Sequence, residues 1–355
     1  MPTISVDTFF ACSLMVLLVL SAMANTSRIL SPYVNNEVDV NAAERYREIS
    51  SYMLLNEGTP PDWGKNSTAI PETFGLARYA SETPYELDID KVTRLNSENL
   101  YAVNYARLFT SLKMPDVSFR LEIKPVFETR ASLTATFEGA DETTYEFEIL
   151  TQKHGNPVEA DLKCYVVAEN YFGTTLVNDS GGTTSINITL PNSVGGPALL
   201  VVFAKAINDI GIVSFGVQGF AHNSAESQPK GTYLRLSPLD YTLNVSQHYS
   251  ETNLSTAYAL SFTYSSTMSQ TAINNQSSAF AIPHFLDTSP MITVVTGSNS
   301  SLFFEEWSAY PQVPLQTGAD FAGSPTLSNV FSFTYLVTIN SALYECTVWL
   351  GGPRE

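Results

Sequence analysis

In this 355-residue sequence, two neighbouring acids beside a tryptophan are residues whose types could carry out chemistry. Glycosidases act through a pair of carboxylates, so Glu305 and Glu306 next to Trp307 have the composition of a sugar-binding or sugar-cleaving site. Adjacent acids at a strand end are also typical of a solvated sheet edge. We predict the second role here and expect no catalytic residue.

Asp88 and Asp90 form a second acidic pair, which suggests calcium ligands. The surrounding run lacks the further acids and the glycine of an EF-hand loop. We therefore predict that Asp88 caps the helix that follows it, and we expect neither a metal site nor a cofactor site.

The remaining residues that could carry chemistry are dispersed. Four histidines lie far apart in the sequence: His154, His222, His248 and His284. No HExxH, GxSxG, P-loop or GxGxxG pattern occurs. The sequence therefore predicts a protein that is not an enzyme.

Three cysteines are too few for a disulfide scaffold. Cys164 and Cys346 lie in strand patterns, where they could pair with each other or remain two separate buried thiols; we favour two separate thiols. Cys12 is interpreted as a small apolar residue of an N-terminal helix.

Charge and polar composition indicate an exported protein that does not bind nucleic acid. The 18 Lys and Arg face 35 Asp and Glu, a net charge of −17, whereas nucleic-acid surfaces need clustered cations. No Lys or Arg occurs between Arg235 and Arg354, a region rich in amides and hydroxyls. Asn25 begins an N-x-[ST] triplet, and the other candidates for glycosylation are Asn66, Asn178, Asn187, Asn244, Asn253, Asn275 and Asn299.

Residues 8–24 form an uncharged apolar segment with three interpretations. It is a secretory signal cleaved after Ala24, a retained membrane anchor, or a pilin-like helix. The absence of Lys and Arg before it argues against a signal, so we favour the other two. Arg28, Arg45 and Arg47 would place the following chain in the cytoplasm by the positive-inside rule, but the glycosylation triplets indicate the outside.

The run Ile4-Ser5-Val6-Asp7 is followed at once by the apolar helix, and in this the N-terminus resembles archaeal type IV pilin-like proteins. The resemblance implies that Asp7 is the acidic residue near the start of a helix that packs in a filament core. The order Tyr52–Leu55, Gly58, Trp63 is similar to archaeal surface proteins with pilin-type leaders. Pilin leaders carry a basic residue before the cut, and this chain does not. A filament role predicts continuous helix through residue 55, whereas a monomeric anchor predicts a break near Ser31-Pro32.

Helical patterns continue to residue 112. Residues 39–57 are predicted as an amphipathic helix with Ala42, Tyr46, Ile49 and Met53 on one face, capped by Asp39 or Asn41 and ended by Gly58. Two further helices are predicted at 88–96 and 99–112. Together with the preceding turn they form a helical collar over residues 31–115.

From residue 117 the apolar period is two, as in half-buried strands. Seven strands between 117 and 217 predict an antiparallel sandwich, and the stretch from Asn156 through 185–191 to 198–202 resembles Ig-like modules of surface proteins. Eight more strand patterns follow residue 231, ending in a hairpin over Asn340-Ser341.

We therefore predict a mainly β protein with five segments: an apolar helix at 1–30, the collar at 31–115, an Ig-like sandwich at 116–220, a linker at 221–231 and a second sandwich at 232–355. The predicted function is that of a non-enzymatic structural or adhesive cell-surface protein, either a pilin-like subunit or a membrane-anchored ectodomain. The alternatives are a secreted carbohydrate- or protein-binding module released after Ala24 and a surface hydrolase. Expected partners are the membrane, further copies or other surface proteins, and glycans, with the C-terminal region outside the cell or secreted.

Overall fold

A computed structural model describes residues 6–178, 181–209, 211–223, 225–284, 289–321 and 327–353. Contacts divide the chain into two units, Met1–Ser50 and Ser51–Glu355. The predicted class is confirmed, because strands make up most of the ordered secondary structure and pair in several antiparallel sheets.

The first helix, α1, runs from Val6 to Leu55 without interruption. The predicted start at Asp39 or Asn41 is wrong, because the backbone before them is already helical and both lie in the helix interior. The helix ends at Leu55, two residues before the predicted end at 57, and Gly58 in the segment that follows has a φ of 73°, a conformation that glycine adopts without a steric penalty.

Two short helices follow, α2 (Ile89–Thr93) and α3 (Tyr105–Leu112). Asp88 caps α2 as predicted, its carboxylate accepting from the backbone N–H groups of residues 90 and 91. The third helix is shorter than predicted because the side chain of Asn104 caps it at its start. Tyr101, inside the predicted range 99–112, therefore lies outside the helix.

Among the described residues, twenty strands follow α3. They are β1 (Ser118–Pro125), β2 (Glu128–Glu138), β3 (Glu142–Lys153), β4 (Asn156–Pro157), β5 (Ala160–Ala168), β6 (Tyr171–Val177), β7 (Thr183–Pro191), β8 (Ala198–Ala206), β9 (Val213–Phe220), β10 (Leu234–Leu239), β11 (Thr242–Gln247), β12 (Thr252–Leu260), β13 (Ser265–Thr267), β14 (Ser269–Asn274), β15 (Ser277–Ala281), β16 (Met291–Asn299), β17 (Leu302–Tyr310), β18 (Leu315–Gly318), β19 (Leu327–Ile339) and β20 (Ala342–Pro353).

The strands form five antiparallel sheets. Their orders are β18-β1-β20-β19, β10-β11-β15-β14, β13-β12-β16-β17, β6-β5-β8-β9, and β2-β3-β4 with β7 on the other side of β3. The terminal hairpin of β19 and β20 turns over Asn340 and Ser341 as predicted. Both turn residues have positive φ, the conformation that a two-residue hairpin turn requires.

The sheet β6-β5-β8-β9 is a middle layer with both faces covered. On one face Cys164 and Val202 belong to a core shared with β3 and β7. On the other face Tyr165 and Phe203 pack in a second core with Ile292 of β16 and residues of β12 and β17. Because both faces are buried, β8 is apolar at nearly every position.

This layering differs from the predicted pair of separate sandwiches at 116–220 and 232–355. The middle sheet comes from the first predicted sandwich, yet its second face packs on strands of the other. In addition, β1 pairs with β18 and β20 from the far end of the chain. The segment 221–231 therefore does not separate two independent cores.

Candidate functional site

The acid pair lies inside β17 and not at a strand end, so the prediction of a solvated edge is wrong. Glu305 is 7% exposed and Glu306 is 2% exposed. Both pair with the neighbouring strand β16, opposite Thr296 and Val295. Successive strand residues point to opposite faces of a sheet, so the two carboxylates do not converge on one point. A glycosidase needs two carboxyl groups that flank the same bond, and this arrangement cannot provide them.

The Glu306 carboxylate binds backbone N–H groups of the segment between β9 and β10. One carboxylate oxygen, Oε2, accepts from the N–H of Gly231 at 2.6 Å, and the other, Oε1, accepts from the N–H of Tyr233 at 2.9 Å. Burial raises the pKa of Glu306, and the backbone donors act against this increase. The side chain therefore has a structural role as the hydrogen-bond acceptor for two backbone N–H groups.

Glu305 holds the same segment from the other face. Its Oε1 accepts from the hydroxyl of Ser227 at 2.9 Å, while its Oε2 is buried and has no hydrogen-bond partner among the described residues. Burial raises the pKa of Glu305 to about 8, and the Ser227 hydrogen bond partly opposes this change. With a pKa of about 8, the side chain is mainly in its protonated form at neutral pH.

A cavity of about 380 Å³ lies beside the acid pair and is lined in part by Trp307 and Lys230. The Lys230 ammonium stands 4.6 Å from the centre of the Trp307 ring and 2.7 Å from a carboxylate oxygen of Glu98. Arg235 donates to the backbone carbonyls of residues 97, 98 and 99. Because these cations are bound to groups of the chain itself, this cavity has a largely satisfied polar lining.

The second acidic pair is also structural. Asp90 is buried, and its Oδ1 accepts from the hydroxyl of Tyr310 and from the N–H of Asp240, each at 2.8 Å. Burial is the main cause that raises the pKa of Asp90 to about 6, with the charge of Asp88 second. Across the described ranges, no group of three His, Cys, Asp or Glu side chains is placed to hold a metal ion.

Two buried cations that sequence reasoning missed organise the chain around α2. The Lys91 ammonium donates to the carbonyls of Glu57 at 2.8 Å and Ala77 at 2.7 Å, and burial lowers its pKa. The Arg94 guanidinium donates to five backbone carbonyls of residues 63–69 and 101. No sequence pattern distinguishes such cations from solvated ones, because their acceptors are backbone carbonyls that any residue carries.

The cysteines and one histidine occupy cores. Cys164 and Cys346 are buried free thiols, which confirms that they do not pair. The Nδ1 atom of His222 lies 2.7 Å from the hydroxyl of Tyr145, and its Nε2 lies 3.2 Å from the carbonyl of Pro191. The histidine therefore ties the segment that follows β9 to β3 and to the end of β7.

The glycosylation candidates differ in exposure. Five have exposed side chains: Asn66, Asn178, Asn187, Asn253 and Asn275. Two are half-buried, Asn244 and Asn299. At Asn66 the amide oxygen accepts from both the N–H and the hydroxyl of Thr68, at 3.0 and 2.9 Å, so the two polar residues of that triplet already touch.

In the N-terminal part of α1 the side chains of residues 14–23 and of Thr26 are described, and all of them are exposed; the large apolar ones are those of residues 14–20 and Met23. These eight large apolar side chains are 53% to 71% exposed, with Val19 the least and Met15 the most exposed. The side chains of Asp7, Ala24 and Asn25 lie outside the described residues. Among the residues that are described, no helix combines the length and the apolar character needed to cross a bilayer.

Comparisons with known proteins add little to this description. No protein-family profile matches the sequence, and no curated protein matches it. Among solved structures, the chain is similar to a selenomethionine-labelled β-glucosidase from Kluyveromyces marxianus, with 13% identity and a TM-score of 0.16. The match covers 28% of this chain and 14% of the length of the enzyme. A TM-score this low carries no argument about fold or activity.

Proposed function

We propose that this chain is a non-enzymatic structural protein of the cell surface, in which α1 packs into an assembly or tether and the β-rich unit is presented outside the cell as an Ig-like ectodomain. The observation that carries the proposal is the run of exposed apolar side chains between Leu14 and Met23. Such a patch on a helix is typical of a surface that another apolar surface covers.

The energetics favour burial of this segment against another apolar surface. Burying one large aliphatic side chain stabilises an assembly by roughly 1.5–3 kcal/mol. Eight such side chains in ten residues would together contribute about 12–24 kcal/mol if another apolar surface covered them fully. A helix that is apolar all round is found in protein cores and in membranes, and not on a free surface.

The course of α1 supports the pilin-like form of the proposal. A monomeric anchor predicts a break near Ser31-Pro32, and a filament subunit predicts continuous helix. The backbone is helical from Val6 to Leu55, which is 50 residues, and a helix of that length extends about 75 Å. A continuous helix with an apolar segment fits lateral packing of several copies.

The β-rich unit supports a role without catalysis. The two buried glutamates face opposite sides of their sheet, and both bind the chain between β9 and β10. The full chain carries a net charge of −17, which disfavours binding to nucleic acid. The amide- and hydroxyl-rich second half supports export and glycosylation.

The first experiment is intact mass and N-terminal sequencing of the protein purified from its native cells. Retention of the apolar segment supports the proposal, and excess mass over the peptide shows that glycosylation triplets are used. A chain beginning at Asn25 would establish the alternative of a released binding module, because the segment that carries the proposal would then be absent.

The second experiment tests the apolar segment itself by sedimentation of the full chain in detergent-free buffer and with liposomes. We expect oligomers or liposome-bound protein for the unmodified chain, and free monomers for the double variant Leu17→Glu/Leu20→Glu. Phe137→Glu/Leu176→Glu is the matched control, since these β-strand side chains are 58% and 59% exposed. A free monomeric unmodified chain in both conditions would refute the proposal.

A further inference from the structure

An open polar cleft of about 850 Å³ lies where the edge strand β14 and its hairpin with β15 approach the start of β12. Eleven residues line it, and none of them is ionisable. Six are Asn or Gln, three are Ser or Thr, and the remaining two are Leu254 and Ile273. A lining made of amides and hydroxyls is chemically distinct from the cavity beside Trp307, where charged side chains neutralise one another.

Several of these amides are available to a ligand. In the described part of the chain, no hydrogen bond joins the side-chain amides of Asn253, Asn274, Asn275 or Gln276 to another residue, and all four side chains are exposed. Gln270 differs, because its Nε2 donates to the hydroxyl of Ser278 at 3.2 Å. Each free carboxamide offers two N–H donors and one acceptor in a single plane.

We propose that this cleft binds neutral carbohydrate. Neighbouring hydroxyls of a sugar both donate and accept, which matches planar carboxamides and fits poorly to a purely cationic or anionic site. A phosphate or a carboxylate would lose hydration here without meeting a compensating charge, so anionic ligands are disfavoured. Ile273 is 71% exposed and provides an apolar contact for the C–H face of a sugar ring.

Carbohydrate of this chemistry has two sources: a glycan attached to this chain, and a free or partner-borne oligosaccharide. Asn253 and Asn275 each begin a glycosylation triplet and both line the cleft, Asn275 in the turn between β14 and β15. A glycan attached to either residue would lie against the cleft in cis. Without such a glycan, the cleft is open to a free or partner-borne oligosaccharide.

The first part of the test, called the trans arm, concerns a free or partner-borne oligosaccharide. It uses the full chain produced in a host without N-glycosylation. Saturation-transfer NMR and calorimetry would be recorded with chitotriose, cellotriose and mannotriose, and with trigalacturonic acid as the anionic probe. We expect a neutral trisaccharide to bind at least tenfold more tightly than the anionic one, and Ile273→Asp to weaken that binding at least tenfold. Leu176→Asp, in the edge strand β6, is the matched control and leaves binding unchanged.

The cis arm uses protein from native cells, with glycan sites mapped by mass spectrometry. If a glycan on Asn253 or Asn275 occupies the cleft, endoglycosidase removes it slowly from the unmodified chain and at least tenfold faster from Ile273→Asp. Equal thermal midpoints for the Ile273 and Leu176 variants show that folding is not the cause.

Binding in either arm that depends on Ile273 supports the inference. It is overturned if no neutral probe binds and no protected glycan is found, if Ile273→Asp changes neither readout, or if the anionic probe binds best. These outcomes do not involve α1, so they are independent of the sedimentation test above.

Discussion

Glu305→Gln is the substitution whose effect on stability follows most directly from the structure. Glutamine has the shape of the protonated acid that burial favours at this position, and its amide oxygen can still accept from Ser227. Both the protonated acid and the glutamine place a donor near the position of Oε2, which has no partner among the described residues. Any constant penalty for that donor is therefore shared by the two proteins.

The pH dependence of the difference follows from proton linkage. The pKa of Glu305 is about 8 in the folded chain, against an ordinary value of 4.5. Between these two values the folded state binds one more proton than the unfolded state, so the stability of the unmodified protein falls as pH rises. The slope is about 1.4 kcal/mol per pH unit, which amounts to about 3 kcal/mol by pH 7 and about 5 kcal/mol above pH 8.

The measurement is urea unfolding followed by tryptophan fluorescence at several pH values between about 4 and 9, spanning the range in which this linkage acts. At each pH, the unfolding free energy of the unmodified protein is subtracted from that of Glu305→Gln. This difference cancels the contributions of the other titrating groups. We expect the variant to gain relative stability as pH rises and the gain to level off above pH 8. Glu148→Gln, at an exposed position in β3, measures the effect of removing one surface charge.

A difference that does not change with pH would refute this reasoning, because Glu305 would then be ionised in the folded chain as it is in the unfolded one. A relative loss of stability that grows with pH would also refute it, since the carboxylate would then be favoured by folding. A constant offset with the expected slope would show only that the amide fits slightly better or worse than the acid.

Three further changes test other buried groups. Lys91→Met leaves two backbone carbonyls without their donor, so we expect a loss of about 2–5 kcal/mol in urea unfolding, and an unchanged midpoint would contradict the assigned contacts. Tyr145→Phe removes the hydroxyl bonded to His222, and calorimetry at constant pH is expected to show a loss of about 1–2 kcal/mol; a gain would argue against that bond. Burial raises the pKa of both Cys164 and Cys346, which keeps them in the unreactive thiol form. Brief alkylation of the native protein, followed by peptide mapping, is therefore expected to label neither cysteine until denaturant is added. Labelling of either one in the native protein would contradict its burial.

Local features of the fold could be predicted from the sequence because their physical causes are local. Asp88 caps α2 because its carboxylate reaches two N–H groups within three residues along the chain. The Asn340-Ser341 turn follows from two flanking strands with alternating apolar residues. In contrast, β14 gave no signal, since all six of its side chains are exposed and no apolar alternation marks it.

The candidate sites depended on residues that are distant in the sequence. Glu305 and Glu306 form a charged pair in the sequence, and only the return of residues 227–233 to β17 buries them. The polar cleft likewise joins β12 to the β14–β15 hairpin. No pattern within one segment reports which other segment will cover it.

By itself the sequence determined the β class, the helix cap at Asp88, the last hairpin and the apolar character of the N-terminal segment. Each of these depends on periodicity, capping or composition over a few residues. Only the tertiary structure decided that the sheet containing β5 and β8 packs on both sides and that β1 joins β20. An apolar strand such as β8 needs two covering layers, but its residues do not specify which strands provide them, because burial of apolar surface is non-directional.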